Sequence, residues 1–280
     1  MSVLFLGTSS GAGKTTVAAM YCRHLHGKGI SAAPFKASNL SHRAFGAADG
    51  AMGPGQAFQA WALGLEPETD MNPVLLMPGG NGSVDVLLHG KFFQKTSGAE
   101  PMDREKIMES VCLSHDRMLG RYGMLVCEGS GSPTELNLMD TDIANVGLLR
   151  VRPMPAILVG DIERGGVFAA LYGTWKLIPE GQRHLLKGFV INRFRGDPSL
   201  LKSGTDRIEE LTGMKCLGVL PRMDLRFPEE DSLSESGGNA TREEFLENLD
   251  LLLDEAVHSG FDFDYLDRLS SAGRDPERLY

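Results

Sequence analysis

Six residues near the amino terminus, Gly11, Ala12, Gly13, Lys14, Thr15 and Thr16, carry the strongest chemical signal in the chain. A polyphosphate needs backbone N–H groups that can approach it closely, and glycines leave that space. It gains again from a helix N-terminus, where peptide dipoles leave partial positive charge. In such an arrangement Lys14 reaches the terminal phosphates and the Thr15 hydroxyl sits on Mg2+. With Ser10 they form the stretch expected to hold ATP. The strict spacing wants Gly at position 8; here Thr8 stands there, with Gly7 one step earlier, so the pattern is a variant. A Gly/Ser-rich turn with a chance Lys-Thr is the alternative. The strand-like run before the turn and the helix-like run after it favour the phosphate loop.

Other candidate groups follow apolar runs. Glu128 ends YGMLVCE and is expected to hold Mg2+ opposite Thr15, unless it is an exposed strand-end acid. Asp49, in AADG, is a second metal candidate or an Asp-Gly turn residue. Lys36 joins Lys14 as a catalytic candidate that neutralises charge on a carboxylate or transferring phosphoryl group. Its rival reading is a plain surface lysine. In GDIERGG, Asp161 and Arg164 precede Gly165 and Gly166; this turn binds an anion or caps a helix. In LNLMDTDIAN, Asn137, Asp140, Asp142 and Asn145 read a substrate's amides or carboxylates, or cap a helix starting near Asp142. The histidines do not cluster: His24 and His26 are two apart on a helix, so no zinc site is expected. No Gly-x-Ser-x-Gly or Cys–His nucleophile pattern is seen.

The elements that must position these groups alternate. Helices are expected over 15–26, 54–63, 103–121, 203–212 and, buried-looking, 167–178. A short apolar strand is expected from Ser2 up to the glycine-rich turn, and further strands over 31–36, 123–127, 156–159, 188–191 and 216–220; 71–76 and 84–89 are apolar segments split by the turn PGGNGS, and 36–50 reads as loop. This implies an α/β fold: a mostly parallel sheet of the P-loop NTPase type with helices on both faces. Ligands of such sheets sit outside the carboxyl ends of the strands. Lys36, Glu128, Asp161, Asn192 and Pro221 all fall there. Residues 227–241 have linker composition. Thr241 and Glu244 form a capping box opening a helix over 242–257, followed by a shorter one over 262–269 and a frayed end.

The chain of 280 residues has a net charge of −9, which argues against non-specific nucleic-acid binding. No apolar run approaches the ~18 residues of a membrane span, and no signal peptide is read at the start. Cys22, Cys112, Cys127 and Cys216 are scattered, as expected of reduced thiols in a cytoplasmic protein.

GTSSGAGKTT, APFKASNLS, EPETDMNPVLLMP, VCEGSGSPTELNL, DIANVGL, VGDIERGGVFAALYGT and KGFVINRFRGD together resemble cobyric acid synthase, over residues 1 to about 231. The resemblance implies an ATP-binding amidoligase domain over 1–231, a linker over 232–241 and a helical tail over 242–280. It implies that ATP phosphorylates a corrinoid side-chain carboxylate and that ammonia then displaces phosphate to leave an amide. Asn192 matches the strand-end position that touches adenine in the superfamily, and Pro221 lies in the matching final loop. Asn39 and Ser41 of APFKASNLS join Asn137, Asp142, Asn145, Asp161 and Arg164 as the expected substrate contacts. The resemblance also suggests a homodimer. The superfamily includes dethiobiotin synthetase and, more distantly, chromosome-partitioning ATPases, whose extra lysine would fall at Ser9.

Several features depart from the family pattern. Its glutaminase domain is missing where it should start, near residue 232, so ammonia is expected from solution or a separate glutaminase chain. The stretch AADGAMGPGQ lacks an acidic residue after the ADG turn. Met77 stands where a lysine is expected and Met139 where an arginine is. Two other functions therefore stand beside amidation: an ATP-binding partner or regulatory protein that has lost it, and carboxylate activation for ring closure.

Overall fold

The computed structural model describes residues 1–97, 101–223 and 240–271. The elements run β1 (Ser2–Gly7), α1 (Lys14–Gly27), β2 (Ala33–Phe35), β3 (Ser38–Leu40), β4 (Phe45–Ala47), β5 (Gly50–Met52), α2 (Pro54–Ala62), β6 (Val74–Pro78), β7 (Val84–Leu88) and β8 (Lys91–Thr96). They continue α3 (Arg104–Tyr122), β9 (Leu125–Glu128), α4 (Val146–Val151), β10 (Ala156–Asp161), α5 (Val167–Leu177), α6 (Glu180–Arg183), β11 (Leu186–Phe194), α7 (Lys202–Thr212), β12 (Lys215–Pro221), α8 (Arg242–His258) and α9 (Phe263–Ser271). The chain divides into two units, one of residues 1–18, 127–224 and 251–280, the other of residues 19–126 and 225–250. Most of the linker expected over 232–241 and of the frayed end lies outside the described residues.

The first unit holds the mostly parallel sheet that the alternation of strands and helices predicts. Its strands lie in the order β12-β11-β10-β1-β9. β10 pairs in parallel with both β1 and β11, and β11 with β12. Val3, Leu4, Phe5 and Leu6 are consecutive and fully buried, as are Ala156 to Val159, so both faces of these strands are covered. Each large apolar side chain so buried contributes about 1.5–3 kcal/mol. The register sets Gly7 opposite Val159 and Asp161 opposite Asn192, which brings the strands' carboxyl ends level. α9 docks here too. The Asp262 N–H donates to the Leu217 carbonyl at 2.7 Å, and Lys215 pairs with Asp262. The α5 helix is less buried than its sequence suggests. Val167, Leu171 and Thr174 face inward, whereas Tyr172 and Leu177 are exposed.

The second unit departs more from expectation. Residues 36–50, read as loop, contain β3 and β4 and run into β5, with which β4 forms an antiparallel hairpin. β3 pairs in parallel with β6, and β6, β7 and β8 form an antiparallel meander. Strands of three residues are too short to show a period of two, so pairing partners rather than local pattern create them. Asn72, nearly fully buried, ties this region together. Its amide donates to the Lys36 and Val74 carbonyls and accepts from the Gly53 N–H at 2.8 Å. The capping box that opens α8 is formed in both directions, Glu244 N–H to Thr241 Oγ1 and Thr241 N–H to Glu244 Oε2.

A charged knot fastens α3 to the turn at Asp70. Arg117 grips the Asp70 carboxylate at 2.6 and 2.8 Å, the buried Ser114 hydroxyl donates at 2.8 Å, and His89 Nδ1 lies 3.2 Å away. Burial pushes the Asp70 carboxyl up, but the hydrogen bonds from Arg117, His89 and Ser114 outweigh it and hold the group well below the usual carboxylate range. A carboxyl held low stabilises the fold fully above its unfolded pKa and loses that contribution as pH falls through its folded one. Asp70→Asn is therefore expected to lower the melting temperature at neutral pH. The deficit against wild type should shrink below about pH 4, the unfolded carboxylate value. Thermal melts across that range test this; a gap that does not narrow in acid refutes it.

Candidate functional site

The site in the first unit begins at the end of β1. The Thr8 N–H donates to the Val159 carbonyl at 2.9 Å, so the loop leaves the sheet directly beside β10. Gly13 has a φ of 93°, a conformation L side chains rarely adopt, and a Cβ there would run into the Asn192 amide. Lys14 opens α1, and the Gly13 carbonyl accepts the helical bond from Val17 at 3.0 Å. The first N–H groups of a helix have no partner within it, which makes this end suited to anionic oxygen.

Lys14 is 6% exposed, and its Nζ donates to the carbonyls of Ser9 at 3.1 Å and Gly131 at 2.8 Å. The next residue, Thr15, donates its hydroxyl to Glu128 Oε1 at 2.8 Å. Glu128 is 0% exposed, which rules out the exposed strand-end acid. A hydroxyl beside a carboxylate is a hard-oxygen pair that fits Mg2+. Among the described residues no group of three or more His, Cys, Asp or Glu side chains could hold a metal ion.

Asn192 ends the regular pairing of β10 with β11. Its amide donates to the Ala12 carbonyl at 3.0 Å and accepts from the Arg193 N–H at 2.9 Å, so its side chain braces the phosphate loop. Pro221 closes β12 in register with Phe194. Asp161 accepts from Arg193 Nη1 and from the Glu163 N–H, both at 2.8 Å. Arg164 is exposed in the turn that follows. A shallow groove of about 160 Å³ lies here, lined by Ile162, Glu163, Arg193, Phe194 and Arg195.

Asp142 and Asn145 bear on the turn after β9. The Asp142 carboxylate accepts N–H bonds from Asn145 and, at 2.7 Å, from Gly147, at the start of α4. Burial raises the Asp142 carboxyl, against the lowering effect of these donors. Asn145 is bonded to Ser130 through both ends of its amide, at 2.8 and 3.0 Å. Asn137 and Asp140 are exposed on the preceding segment.

The remaining candidates belong to the second unit. Lys36 is 5% exposed, so the surface-lysine reading fails. Asn39 lies on β3, and the Ser41 hydroxyl accepts from the Arg43 N–H at 3.1 Å; both side chains are buried. Asp49 sits in the β4–β5 turn and accepts from the Thr69 N–H and, at 2.8 Å, from its hydroxyl. Sequence reasoning missed the Ser9 and Gly131 carbonyls that hold Lys14 and the bracing use of Asn192. Backbone acceptors leave no mark in residue type. No disulfide joins the cysteines, and among the described residues no helix is long and apolar enough to cross a membrane.

A strand, a glycine turn and a lysine-headed helix whose threonine meets a strand-end carboxylate define a P-loop nucleotide-binding domain. The chain belongs to the CbiA family, the CobQ/CobB/MinD/ParA nucleotide binding domain, which matches residues 3–233. It is 48% identical over 236 residues to a probable cobyric acid synthase of Methanoregula boonei, covering 84% of this chain and 49% of that protein. It is 46% identical over 236 residues to a cobyric acid synthase of Saccharopolyspora erythraea, covering 83% and 46%. The chain thus spans about half the length of the curated relatives it matches. Among solved structures, the MinC:MinD cell division complex of Aquifex aeolicus aligns with a TM-score of 0.50 at 16% identity, over 95% of this chain and 94% of that one, a likeness of fold.

The Thr15–Glu128 pair generates a metal prediction. Glu128→Gln removes the negative charge while keeping the shape. The Mg2+ concentration needed for half-maximal ATP binding should rise about 10–100-fold. A titration of nucleotide binding against magnesium measures it, and an unchanged midpoint removes Glu128 from the metal site.

Proposed function

We propose that this chain activates side-chain carboxylates of a corrinoid with ATP and converts them to amides, as in the formation of cobyric acid, with ammonia supplied from a separate source. The observation that carries the reading is the Lys14–Thr15–Glu128 arrangement at the head of α1. It stands in a chain 44–48% identical to proteins named cobyric acid synthases.

The chemistry follows from the poor leaving group of a carboxylate. A carboxylate oxygen attacks the terminal phosphorus of ATP, ADP leaves, and an acyl phosphate results. Ammonia then adds to the acyl carbon, phosphate departs with the electron pair of the C–O bond, and the nitrogen loses a proton. The backbone N–H groups of residues 10–16 bind the phosphates, and the Lys14 ammonium stabilises charge growing on the bridging and terminal oxygens. Thr15 and Glu128 would hold Mg2+, which supplies further charge neutralisation when bound. Lys36, by the resemblance, is assigned the neutralisation of charge on the reacting groups. Asp49, in the AADG turn, is a further metal candidate. Asn39, Ser41, Asn137, Asp161 and Arg164 remain substrate candidates, and the resemblance assigns Asn192 and Pro221 to the nucleotide.

A second reading, a nucleotide-binding partner without amidation, is favoured by Met77 and Met139, which replace the charged residues expected there. One assay separates the two. The protein is incubated with ATP, magnesium, ammonium and cobyrinic acid a,c-diamide, and the mixture is followed for ADP and for stepwise carboxyl-to-amide mass changes. Amidation is expected, and Lys14→Ala should abolish it. ATP binding without ADP or amide would favour the second reading.

A further inference from the structure

Asn145 has almost no capacity left for a substrate. An Asn side chain offers two N–H donors and one carbonyl acceptor with two lone pairs. One N–H goes to the Ser130 carbonyl at 2.8 Å, a further bond reaches Asp142 Oδ1 at 2.9 Å, and Oδ1 accepts the Ser130 N–H at 3.0 Å. The residue is 3% exposed. A Cβ on Gly129 would run into Asn145 Oδ1, so the turn backbone lies directly against the amide. The other side of this turn is pinned by the Gly129 N–H, which donates to the Phe5 carbonyl at 2.9 Å.

The groups that meet α1 flank the pinned residue. Glu128, two positions before Ser130, takes the Thr15 hydroxyl, and Gly131, one position after, gives its carbonyl to Lys14 Nζ. We propose that Asn145, oriented by Asp142, is a positioning residue for Lys14. It clamps residues 129–131 so that the Gly131 carbonyl holds the lysine head at the phosphate loop. This rests on the nucleotide-binding reading given above, and it assigns Asn145 to ATP rather than to the carboxylate substrate. Preorganisation of this kind raises affinity by removing the cost of ordering a long side chain on binding.

The test is a double-mutant cycle on MgATP binding by the full chain, measured calorimetrically with no carboxylate substrate present. Asn145→Ala is expected to weaken binding about tenfold, and Lys14→Ala more strongly. The double variant should be no weaker than Lys14→Ala within about twofold, because nothing is left to position. A general folding defect would instead weaken both backgrounds alike. Additive losses, or an Asn145→Ala affinity equal to wild type, overturn the inference. Should Asn145→Ala not fold, Asp142→Asn carries the same cycle with a smaller expected loss, about threefold, and the same non-additivity. Lys14→Ala at wild-type affinity would instead overturn the nucleotide-binding reading itself.

Discussion

The hydrogen bond from Thr15 to Glu128 is the constraint on which the candidate site depends. It joins the second residue of α1 to the last residue of β9, two points 113 residues apart in the chain. A fully buried carboxylate is costly unless hydrogen-bonded or paired with a cation. The Thr15 hydroxyl is one of the partners that Glu128 finds in its buried position.

The sheet makes this bond attainable. Parallel pairing of β1 with β10 and of β10 with β11 ends the strands level, so loops from different parts of the chain open side by side. Asn192 then reaches back to the Ala12 carbonyl, across 180 residues of sequence. Gly13 is restricted twice, by its positive φ and by the amide over it, so the phosphate loop is shaped from outside as much as by its own residues.

What could be read beforehand follows the range of the physics. The phosphate loop was legible because its requirements are contiguous: small residues, then Lys-Thr, between strand and helix. Glu128 was legible because a run of apolar residues ending in an acid implies a buried strand with a charge at its exit. Asn145 and Asp142 were found as hydrogen-bonding groups, but their use could not be, because their partners Ser130 and Gly147 differ in no way from other serines and glycines until the chain folds. The three-residue strands of residues 36–52 were not legible either, since they exist by pairing with one another and with β6. The capping box at Thr241 and Glu244 was, since it needs only four neighbouring residues.

The docking of α9 bears on where a working piece of this molecule can be cut. Phe261 packs against Gly218 of β12, where a Cβ would crowd its ring, and Leu266 is fully buried. The Tyr265 hydroxyl donates to the Lys187 carbonyl. The stretch recognised by the family pattern stops at residue 233, yet the sheet that carries the phosphate loop is finished by side chains beyond residue 260. A fragment trimmed to the recognised stretch would strip the cover from β12, so an expressible minimal version must retain α9.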